Sequence, residues 1–83
     1  MKLGELLLKQ LNRRFEADAL VEMRFKSYDL KIKTDKDGNA VMLFIGKLKE
    51  NGDIKGERFS RVLKLDASGA VIKDHWDNKG KVG

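Results

Sequence analysis

The chain has 83 residues, 37% of them charged and 41% hydrophobic, with a formal net charge of +5 and neither cysteine nor proline. That composition excludes a disulfide scaffold, a thiolate metal site and a cysteine nucleophile, and it is too apolar for a disordered chain. A domain of this size buries only ~60% of its extended-chain surface, so a shared interface would widen a thin stability margin.

Residues 2–15 read as an amphipathic helix. Leu3, Leu7, Leu11 and Phe15 recur every four positions, Leu6 and Leu8 widen the stripe, and Glu5, Lys9, Asn12 and Arg13 fall opposite. Gly4 projects from the stripe, where a missing side chain lets a helix approach a sheet closely. Glu16 to Asp18 forms the connection. The longest apolar runs, Ala40 to Ile45 and Leu6 to Leu8, are far too short to cross a bilayer, and no signal-peptide pattern opens the chain. A cytoplasmic protein without membrane contact is the expectation.

Strand 1 is expected from Leu20 to Thr34. Its alternation changes phase once, from odd (Val21, Met23, Phe25) to even (Tyr28, Leu30, Ile32). A β-bulge near Lys26-Ser27 accounts for the change, since Lys-Ser is poor hairpin chemistry. Three turns follow: Lys36-Asp37-Gly38, Asn51-Gly52 and Asp66-Ala67-Ser68-Gly69, loops of three, two and four residues. They pair Asp35 with Asn39, Glu50 with Asp53, and Leu65 with Ala70. One row across the sheet then reads Leu30, Phe44, Phe59, Trp76.

The expected fold is α+β: an N-terminal helix packed on one face of a four-stranded antiparallel meander in the order 1-2-3-4. Residues 1–77 make one domain, and 78–83, rich in Gly, Lys and Asn, read as a flexible tail. This layout of a helix gripped by a bent meander, over residues 3–76, resembles the cystatin-like arrangement. The Gln-x-Val-x-Gly loop of those inhibitors is absent, so the resemblance implies a layout and no protease binding.

The same registers leave an uncovered face. Val41, Leu43, Ile45 and Val62 form an aliphatic strip on it, rimmed by Lys31, Lys33, Arg58 and Lys73. The expected function is therefore a non-enzymatic binding domain that forms a homodimer or takes a protein partner through this face. The alternative is nucleic-acid or polyanion binding through the same cations. Against it, Tyr28, Phe44, Phe59 and Trp76 are placed toward the helix, where no base could stack, and the one helix is turned to the core.

Catalytic, cofactor and metal chemistry find no motif. His75 and Asp77 share a face, but one histidine beside exposed carboxylates holds a metal poorly. Asp35, Asp37 and Asn39 open like a calcium loop but lack its closing glutamate. Neither phosphate-loop nor dinucleotide fingerprint occurs. Arg61 and Asp74 are placed opposite each other as an ion pair at the core margin; a weaker reading has Arg61 gripping an anionic ligand.

Overall fold

The leucine stripe does form a helix, though a shorter one than its periodicity predicts. In the computed structural model, which describes residues 2–83, α1 spans Glu5–Leu11 with Gly4 at its N-cap and Asn12 at its C-cap. No side chain caps its first amides. Two turns of helix have no stability of their own, so burial of Leu7 and Leu11 against the sheet must hold it. Phe15 lies beyond the helix, its N–H donating to Gly38 O at 2.8 Å. That contact fastens the outgoing chain to the turn at Gly38.

The sheet is antiparallel with five strands, not four: β1 (Leu20–Phe25), β2 (Tyr28–Thr34), β3 (Ala40–Leu48), β4 (Ile54–Leu65) and β5 (Val71–Val82), in chain order. The segment expected as one bulged strand is a hairpin. Phe25 pairs with Tyr28, and Lys26 takes φ 55°, the positive value that a primed two-residue turn demands. Folding back between Phe25 and Tyr28 sets odd residues of β1 opposite even residues of β2. The phase change in the sequence is the mark of that reversal.

The other three hairpins close alike. Asp35, Lys49 and Asp66 accept the N–H of Gly38, Gly52 and Gly69, and donate to the carbonyls of Asn39, Asp53 and Ala70. Each is a three-residue loop with glycine at positive φ in its last position. The second loop is thus one residue longer than expected and the third one shorter.

Pairing of β2 with β3 starts as predicted, Thr34 opposite Ala40. A bulge then follows, so that Lys33 faces Met42, Ile32 faces Leu43 and Leu30 faces Ile45. Val41 is the extra residue. This single insertion turns the rest of β3 over: Leu43 and Ile45 lie under the helix at 0% and 2% exposure. They join Leu7, Leu11, Leu30, Ile32, Ala40 and Phe59 in the core, with Trp76 packed at its margin.

Residues 78–83, expected as a loose tail, instead complete β5 as far as Val82, where Val82 pairs with Gly56 and Lys81 with Glu57. The glycine and asparagine there serve a bulge, with Asn78 Oδ1 accepting the Gly80 N–H at 2.7 Å.

The β3–β4 hairpin does not run straight. Lys31 is level with Phe44, so a straight hairpin would carry Gly52 roughly 20 Å away at ~3.3 Å per residue. Lys31 Nζ nevertheless donates to Gly52 O at 2.8 Å, and the Leu48 N–H to Asp29 Oδ2 at 2.8 Å. The hairpin end therefore curls over the uncovered face. At the bend Gly46 pairs with Gly56, and a Cβ on either would collide with a carbonyl oxygen of the facing strand.

Candidate functional site on the outer face of the sheet

Directly opposed residues share a face, so the registers define what the sheet presents away from α1. One row reads Glu22, Lys31, Phe44, Arg58; the next reads Leu20, Lys33, Met42, Ser60, Asp77. The aliphatic strip expected here is thereby corrected: Leu43 and Ile45 are core, and their places are taken by Met42 and Phe44. Val41 is half-buried at the bulge, and Val62 is half-buried on the outer face opposite His75.

The curled hairpin turns this face into a groove of about 470 Å³, a size within the range of ligand pockets. Met42 and Phe44 form its floor, Ile54 and Val82 the side raised by the bend, and Leu20 the far margin. Lys31, Lys33 and Asp53 are its polar lining. Ile54 is buried although it lies apart from the helix-side core, because the bend folds it against this groove. Arg58 stands across from Phe44, and its Nε is buried with no hydrogen-bond partner among the described residues.

Of the cations singled out from sequence, Lys31, Lys33 and Arg58 are brought together around Phe44. Lys73 is not. It sits opposite Lys64, four positions along β4 from Ser60 and ~13 Å away at strand rise. Leu20, Ile54 and Val82 had no signal in the sequence, since only the bend brings their strands' ends to one place.

Arg61 and Asp74 do pair, diagonally and not directly across, for Arg61 faces Trp76 and Asp74 faces Leu63. The pair is bidentate, Nε to Oδ1 and Nη2 to Oδ2, both at 2.7 Å. Arg61 Nη1 also donates to Ala40 O at 3.1 Å, and Nη2 to Asn12 Oδ1 at 3.0 Å. The guanidinium lies 5.5 Å from the Trp76 ring centre. Hydrogen bonds from Arg61 hold the Asp74 carboxyl below the usual carboxylate range, against the opposing pull of desolvation. With four of its five N–H donors engaged and its side chain buried, Arg61 serves the fold and presents little to a ligand.

His75 Nε2 lies 2.6 Å from Asp77 Oδ1 on the outer face. Among the described residues no three His, Cys, Asp or Glu side chains are grouped to hold a metal ion. Among the same residues no helix is long and apolar enough to cross a membrane. Comparison with family models, with curated proteins and with solved structures finds no match to this chain. Function therefore has to be argued from the groove.

Proposed function

We propose that this is a non-enzymatic binding domain whose outer sheet face takes single-stranded nucleic acid. The observation that carries the reading is Phe44, set in the groove floor between Lys31 and Arg58. An aromatic ring on a sheet gives a base a stacking surface of any sequence, and flanking cations meet the phosphates on either side. The sequence-based objection, that every aromatic points to the helix, does not apply to Phe44. A net charge of +5 favours an anionic partner from the first encounter.

Self-association through this face has less in its favour. Of its expected apolar centre, Val41, Leu43, Ile45 and Val62, Leu43 and Ile45 are buried in the core, and apposing two copies would bring the Lys31, Lys33 and Arg58 clusters together.

Fluorescence anisotropy with a labelled oligothymidylate tests the proposal. With three cations meeting phosphates, affinity should fall about 20-fold between 50 and 200 mM salt, the slope expected for single strands. Phe44→Ala should weaken binding about tenfold or more at every salt concentration and leave the slope unchanged. No binding at 50 mM salt overturns the reading. So does equal binding by Phe44→Ala, which would mark plain polyanion attraction.

A further inference from the structure

The long strand β5 closes one edge of the sheet, and only β4 pairs with it. Bulges interrupt its ladder near Ile72 and again around Lys79-Gly80. Between them Lys73 to Asn78 run in one unbroken register against β4, from Lys64–Lys73 to Phe59–Asn78. That regular stretch is the part of the edge able to accept another strand, because bulges and twists discourage pairing on either side. We propose that two copies of this chain join edge to edge through β5, antiparallel about a two-fold axis at His75.

Charge selects the occupant and the register. Centring on His75 sets Lys73 opposite Asp77 of the second copy and, by symmetry, Asp77 opposite Lys73. Asp77 contacts His75 through Oδ1, and the incoming ammonium would be met by Oδ2. A shift of two residues one way sets Asp74 against its own counterpart; the other way sets Lys73 against Lys79. Opposed like charges on neighbouring strands destabilise, and opposed unlike charges stabilise. A one-residue shift would put outer-face residues opposite helix-face residues and break the continuity of both layers.

The pairing is isologous and closed, using the same segment twice, so it makes a dimer and not a filament. Rotation about an axis normal to the sheet keeps both outer faces on one side. The dimer would therefore carry two Phe44 grooves on a single continuous surface. Pairing of the β5 edges needs nothing from the groove and occurs whether or not the groove binds nucleic acid.

Sedimentation of the full chain across the micromolar range should show mass rising from 9.5 kDa toward twice that value. Lys73→Glu should return the monomer, and the charge swap Lys73→Glu with Asp77→Lys should restore the dimer. His75→Cys should cross-link the two copies on oxidation, since opposed residues of antiparallel strands lie within disulfide reach. Monomer at every concentration overturns the proposal. Failure of the swap to restore association does so too, as does cross-linking by Trp76→Cys in place of His75→Cys.

Discussion

Arg61 ties three separate parts of the chain to one guanidinium: the helix end at Asn12, the start of β3 at Ala40, and β5 at Asp74. Its side chain is only 6% exposed, so removing the counter-charge would leave a buried cation poorly solvated. Asp74 itself is 34% exposed, which screens the pair and reduces the loss. Asp74→Ala should cost about 2 kcal/mol in denaturant unfolding; an unchanged midpoint would show that the pair adds nothing. The acid limb has a definite sign. Asp74 has a depressed folded-state value, and so do Asp35 and Asp66. At Asp35 desolvation pushes upward, but hydrogen bonds from Asn39 and Asp37 outweigh it; at Asp66 the Ser68 hydroxyl leads, followed by the Ala70 and Ser68 amides. Their contribution is complete above the ordinary carboxylate value near ~3.9 and is lost as pH falls below it. Thermal midpoints should therefore be level near neutrality and drop below about pH 4, with a shallower drop in Asp74→Asn. The Arg61–Asp74 contact is legible in the sequence because two opposite charges fall on the helix side of neighbouring strands. Its geometry is not, because a shift of two residues keeps both on the same face.

At the level of elements, four hairpins build the sheet, and three share one closing pattern. In two of them the first residue is aspartate, and Oδ1 of Asp35 and Asp66 accepts the amides two and four positions on. In the second loop Asn51 Oδ1 takes over by accepting the Asp53 N–H. The first hairpin departs from this pattern, with a lysine where glycine or asparagine is usual. A lysine held at positive φ stores backbone strain of about 1 kcal/mol. Lys26→Gly should release it and raise unfolding stability by roughly 0.5–1 kcal/mol, and a destabilised variant would contradict the turn described here. The sequence hides this hairpin because its turn chemistry is atypical, although the phase change between Phe25 and Tyr28 announces it. β3 is obscured for another reason. Every residue from Ala40 to Ile45 is apolar, so period-two alternation carries no information about which side is buried. Only the bulge at Val41 decides, and no residue type marks it. The bulge and the longer second loop each move the register by one, and the two shifts cancel by β4. Phe59 and Arg58 accordingly lie on the faces that the turns predict, while Leu43, Phe44 and Ile45 do not.

The whole molecule measures 43 × 24 × 20 Å, long for its radius of gyration of 12.8 Å. The far end of the β4–β5 hairpin has little packed against it: residues 64–75 are all exposed, among them Leu65, Val71 and Ile72. Every strand neighbour in the sheet is also a chain neighbour. Each strand pairing thus closes only a short loop, and the longest reaches are left to the packing of α1 on the sheet and to the Arg61–Asn12 contact. The chain also has no proline, so no X-Pro bond can delay it. Dilution from denaturant should give refolding in a single exponential within about a second and no phase of tens of seconds. Stopped-flow emission from Trp76, which packs at the edge of the core, would follow it directly. A sheet zipped hairpin by hairpin thus gives a newly made copy little time as a sticky, half-assembled surface.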